Sequence, residues 1–162
     1  MKEFGSLAHF AAHLGTLEAG LVLEVRRGLS EVAKAVEKTA KAEIGDYQPA
    51  VGPFPAWAPL ADATKRERVR LGFTEDDPLL RSGAMRDSIS HAVAGTDAVI
   101  GSTSDVAVYQ EMGTDKIPPR PFLGPAALHN EEAIQRILGR AAVRGLLAGA
   151  VIPAGLGYDK DV

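Results

Sequence analysis

The sequence predicts an α+β fold, on three observations. Apolar residues recur at helical spacing from Leu7 to Ile44. A second such pattern runs after Pro125, through Ile134, Ile137, Leu138, Ala141 and Leu146. Between them, two short β-type runs flank Gly95-Thr96-Asp97, the spacing of a hairpin. The expected architecture is a small antiparallel sheet packed by a long N-terminal helix and a C-terminal helix.

The first pattern places Leu7, Phe10, Ala11, Leu14, Leu17, Leu21, Val25, Leu29, Val32, Val36 and Ala40 on one stripe, with Gly45-Asp46 as the stop. It reads as one long helix, or two joined near Gly15-Thr16. Such a helix exceeds what a small domain covers, so part of it is expected to meet a neighbouring subunit. Residues 47–59 hold four prolines and a glycine among aromatics, which excludes regular helix and central strand. Phe54 and Trp57 are expected to pin this loop to the core. Residues 60–71 read as a short charged helix, 75–78 as an acidic turn, and 79–90 as a helical turn running into the first strand, 89–93. The second strand spans 98–101. Asp105 is expected to cap a short helix ending at Met112, with Gly113 as its left-handed C-terminal cap. Gly124-Pro125 then opens the last long helix, proline at a first helical position losing no hydrogen bond. Residues 1–147 are expected to form one domain, and 148–162, broken by Gly and Pro, an arm.

Composition narrows the function. The 162 residues are 46% hydrophobic, 24% charged and 6% aromatic, the values of an ordinary globular chain with few aromatics to build its core. A formal charge of −3 argues against a protein whose main task is gripping phosphates. There are no cysteines, so disulfides and thiolate metal sites are excluded. Neither the start, MKEFGSLAHF, nor any later stretch has the apolar run of a signal or membrane span, so no membrane partner is expected.

No pattern for a catalytic centre emerges, and the chain is read as a non-enzyme without cofactor or metal. His9 and His13 share a helix face, but Phe-Ala-Ala between them supplies no glutamate, and two surface or interface histidines are expected. Glu75-Asp76-Asp77 lacks the glycine-punctuated calcium pattern. The basic run 65–70 offers a nucleic-acid reading, set against a solvated face or an intersubunit salt-bridge patch, with the acidic turn next door. GSTSD at 101–105 lacks the nucleophile-elbow spacing, and GTDK at 113–116 is no phosphate loop.

The stretch YQEMGTDKIPPRPFLGPA, 109–126, is the most distinctive, with four prolines and two glycines. It reads as a rigid strut between two helices. Arg120, held between prolines, is expected to pair with a carboxylate, either Glu111 across the turn or an acid on the next subunit. Phe122 and Leu123 are expected either to fold back as a staple or to contact another subunit.

The runs AWAPLADAT (56–64), LLRSGAMRDSI (79–89) and VIGSTSDVAVYQEMGTDKIPPRPFLGPA (99–126) resemble, in order and spacing, the neck proteins of tailed phages: tail-completion or head–tail joining proteins, with their virion morphogenesis relatives. The resemblance runs from Trp57 to Ala142, and its most specific part is Glu111, Gly113, Thr114, Pro118 and Arg120 to Leu123. Ala61-Asp62 departs from the family's commoner Ser-Pro and weakens the following helix cap. The resemblance implies an α+β fold and no enzymatic activity. It implies assembly as a ring, often of six copies, between a head-side connector or stopper and the tail tube or tail terminator, with genomic DNA passing through the lumen unbound. Trp57, Glu111, Gly113, Arg120, Pro121, Phe122 and Leu123 are the candidate assembly residues.

Overall fold

The computed structural model of the chain describes residues 6–147. The expected arm, 148–162, lies outside the described residues. The elements are α1 (Leu7–Glu43), α2 (Asp62–Arg70), α3 (Ala84–Asp87), β1 (Ile89–Ala94), β2 (Asp97–Ser102), α4 (Asp105–Met112), α5 (Leu123–His129) and α6 (Glu131–Leu146). The fold is α+β. Its sheet is the two-stranded hairpin β1-β2, and on β1 burial alternates from Ile89, as a half-covered strand requires.

The chain divides into two compact units. The first groups the described residues 6–32, 93–98 and 132–147; the second groups 33–92 and 99–131. The hairpin tip therefore belongs with the first part of α1 and with α6, and its base with the rest.

In the first unit, α1 and α6 approach through small residues. A Cβ added at Gly28 would stand 2.9 Å from the Ala141 Cβ, and one at Gly145 would stand 2.5 Å from the Leu21 Cα. Backbones this close leave no room for a side chain. Ala141 and Gly145 are buried, whereas Leu146, expected on the apolar face, is 59% exposed. The helical period explains the correction: from Ala141 the inward position one turn on is residue 145, and 146 lies about 100° further round. The opening turns of α1 carry Leu7, Phe10 and Leu14 exposed, Leu7 at 82%.

In the second unit, the core gathers Ala33, Val36, Ala40 and Ile44 from the end of α1 with Trp57, Met85, Ile89, Ala107, Phe122 and Ala126. His91 on β1 bonds Glu37 on α1. The expected last long helix is in fact two. Asn130 leaves helical geometry at φ −100° and ψ 7°, and its side-chain amide donates to Thr39 Oγ1 and Ala126 O, both at 2.8 Å. Pro125 is the third residue of α5 rather than the first. At α4 the N-cap position belongs to Ser104, and no side chain caps the helix.

The close approach predicts opposite signs for one substitution at two glycines of α6. Gly139 has open space around it, so Gly139→Ala should raise stability by about 0.5–1 kcal/mol, the ordinary helical gain. Gly145→Ala should lower it, because the methyl meets the α1 backbone. Urea denaturation of the two variants checks both signs.

Candidate functional site

The stretch 109–126 lies wholly in the second unit and is built as a latch. α4 ends at Gly113, with φ 75° and ψ 173°. The positive φ is as expected, but the ψ is not that of a left-handed cap. The chain instead turns sharply so that Pro119 passes close by, 2.9 Å from where a Cβ would stand. Thr114 and Ile117 pair through both backbone bonds, at 2.8 and 3.2 Å, and Thr114 Oγ1 accepts from the Lys116 and Ile117 amides. This closes the turn and reverses the chain. Arg120 N–H then donates back to Gln110 O at 2.7 Å.

The two charged groups at the centre of the motif, Arg120 and Glu111, are used within the chain. The Arg120 guanidinium is buried, and its Nε and Nη2 both donate to Ala58 O, at 3.0 and 2.8 Å, with Nη2 also reaching Pro59 O at 3.1 Å. The expected pairing of Arg120 with Glu111 is therefore corrected. Two adjacent carbonyls, fixed by the Ala-Pro backbone, receive a planar fork that a carboxylate does not. Burial draws the Arg120 pKa below the usual arginine value. Glu111 turns instead to the start of α5. Its Oε2 accepts from the Phe122 and Leu123 amides at 2.8 and 3.2 Å, and Oε1 takes a longer contact from the Gly124 amide at 3.5 Å. These amides have no partner within the helix, and a carboxylate there satisfies them.

Trp57 and Phe54 anchor the proline-rich loop to this strut, as the sequence suggests. Trp57 Nε1 donates to Pro121 O at 2.8 Å and its own amide donates to Gln48 O at 3.0 Å. Val51 and Phe54 exchange backbone bonds around a tight turn. A Cβ at Gly124 would stand 2.2 Å from the Phe54 ring, so only glycine admits that ring. Phe122 is 0% exposed, and Trp57, Arg120 and Pro121 are buried with it. Within the single chain all four are thus core residues, and Phe122 is buried as a staple would be. Leu123 is half-buried and lines an open, mainly apolar cleft with Gly101, Ala107, Val108 and Met112.

The far end of α5 is tied down as well. His129 Nδ1 bonds Glu43 Oε1 at 2.9 Å, while Glu43 Oε2 is buried without a partner. Burial pushes the Glu43 carboxyl above the usual carboxylate range, and nearby Glu111 adds to this while His129 pulls it down.

The basic run 65–70 is largely absorbed by the fold. Lys65 pairs with Asp76 at 2.6 Å, which also receives the Tyr47 hydroxyl. Arg68 is buried and donates to Thr74 O at 2.7 Å and to Leu80 O, clamping a loop in which Leu79 holds φ at 62°. Arg68 was not legible in the sequence, where it sits among exposed charges and only the burial of a single helix position distinguishes it. Beside it, a cavity of about 230 Å³ is lined by Glu67, Arg68, Arg81, Gln110 and Arg120 among others, and its one carboxylate, Glu67, faces Arg81 at 4.0 Å. Among the described residues, no group of three or more His, Asp or Glu side chains is placed to hold a metal ion.

Phe122→Ala should cost about 3–5 kcal/mol of stability, and Arg120→Lys about 1–3 kcal/mol because one ammonium replaces the fork and leaves a buried carbonyl short of a donor. Both losses should appear in thermal melts at dilutions where the chain is monomeric. For Glu43, a folded-state pKa raised above the unfolded value means a contribution fully present below the unfolded pKa, about 4.3, and lost as pH rises through the folded value. Glu43→Gln should therefore match the native chain in acid and exceed it in stability toward neutral pH. Urea midpoints across that range test it.

A family model described as the phage virion morphogenesis family matches residues 7–142. The span includes every residue of the latch and reaches back through α1, beyond the part where the sequence carries a visible resemblance. Comparison with curated proteins and with solved structures gives no match. That family is one of structural and assembly proteins of the phage particle, consistent with a chain that is not an enzyme. The chain belongs to the phage virion morphogenesis family, and its role lies in the structure and assembly of the virion.

Proposed function

We propose that the protein is a neck component of a tailed phage. It assembles as a ring, of six copies by the family resemblance, that joins the DNA-filled head to the tail as a tail-completion protein. The observation that carries this reading is the division of labour in the latch. The motif that marks the family is spent on folding the second unit, which leaves α4 with Val106, Val108, Tyr109 and Met112 exposed, Met112 at 76%. Large apolar side chains grouped on a rigid element are what a subunit buries on assembly.

The ring's neighbours are a head-side connector or stopper and the tail tube or tail terminator. Genomic DNA passes its lumen without specific binding, which the net charge of −3 favours. No helix among the described residues is long and apolar enough to cross a membrane. A tail terminator or a head-side stopper is the alternative position. A separate small nucleic-acid-binding module is disfavoured, because Lys65 and Arg68 are already engaged within the chain.

A phage lacking this protein should yield DNA-filled heads and finished tails that do not join. Electron microscopy of the lysate decides it. Normal virions, or misshapen capsids, would contradict the role.

A further inference from the structure

The first unit carries a charged surface that neither the latch nor the family reading uses. Arg136, Arg140 and Arg144 recur every fourth residue along α6, so they form one ridge rising about 6 Å per step. Like charges at that spacing destabilise a helix. The dipole at the helix C-terminus accounts for Arg144 but not for the other two. None of the three makes an ion pair among the described residues, and Arg140 Nε is buried without a hydrogen-bond partner. Arg140 and Arg144 line a groove of about 270 Å³ between α6 and α1, whose α1 wall carries Glu24, Arg27 and Glu31. Glu24 is taken by Arg27, and Glu31 is exposed. The groove thus holds unspent guanidinium donors beside a carboxylate.

We propose that this groove is a contact surface for a second copy of the chain, whose surface carboxylates bond Arg140 and Arg144. Planar guanidinium groups on a helix ridge suit bidentate carboxylates. The mixed charge of the groove decides against nucleic acid, since Glu24 and Glu31 would repel a run of phosphates while a surface of both signs matches them. The chain itself supplies such a surface, with 21 acidic against 18 basic residues. Its free acids include the exposed Glu75, which makes no ion pair among the described residues. This proposal rests on the reading of the chain as a self-associating ring subunit.

Sedimentation velocity of the full chain tests it. The native protein should self-associate at low salt and weaken toward about 1 M salt, where the screening length is about 3 Å. Arg140→Glu with Arg144→Glu should raise the dissociation constant at least about tenfold. Arg144→Glu alone, at an exposed position, should raise it in the same direction, with the thermal melt lowered only by the small helix-dipole loss. Unaltered association in Arg144→Glu and in the double variant overturns the groove while leaving the ring standing. A chain that stays monomeric at every salt overturns both. Salt-sensitive binding of a DNA duplex that vanishes in Arg144→Glu, with self-association unchanged, would make the groove a phosphate site instead.

Discussion

The second unit depends on one joint, where the loop 57–59 meets the strut 118–122. Trp57 reaches the Pro121 carbonyl from one side and Arg120 reaches the Ala58 and Pro59 carbonyls from the other, so each segment satisfies the other's buried polar groups. The prolines are part of this solution. Of residues 118–121 only Arg120 has a backbone N–H, and that one donates to Gln110. A segment buried with so few donors leaves little to satisfy, and its backbone is already stiff before folding. A buried guanidinium is costly when unpaired, and here Nε and Nη2 meet two fixed carbonyls in a shape that lysine does not reproduce.

From that joint the surrounding elements take their places. α5 has only seven residues, too few for a helix to hold itself in water. It is secured at its start by Glu111 and at its end by His129 on Glu43 and Asn130 on Thr39. Glu111 is the penultimate residue of α4, so the same helix that caps α5 also presents Val108 and Met112 outward. A fold made rigid in this way can offer a small apolar surface without losing much entropy when it is covered.

The sequence was informative where chemistry is local. The 3.6-residue stripe of α1, the stop at Gly45, the hairpin and the positive φ of Gly113 are each written in a few neighbouring residues. The joint itself is not, because its partners lie 62 residues apart for Arg120 and 64 for Trp57. An arginine between prolines invites a carboxylate partner, and only the folded chain reveals that two carbonyls of the Ala-Pro loop are nearer and better shaped. The same limit hides Arg68, whose neighbours in sequence are exposed charges while its partners come from the loop 74–80. The break at Asn130 is a smaller case, in which one residue's tertiary contact overrides a periodic pattern, whereas the exchange of Leu146 for Gly145 follows the helical period itself. As for the site, the residues quoted for the resemblance are those that the structure brings together, but as a latch inside one chain.

The central claim is that the Pro-Arg-Pro-Phe segment folds within a single chain and acts in assembly only through the surface it stiffens. Native-state hydrogen exchange at the Arg120 and Phe122 amides, measured on the chain diluted to monomer, tests this most directly. The account predicts protection at the level of global unfolding for both amides, unchanged on assembly. Fast exchange in the monomer, with protection gained only when copies associate, would contradict it.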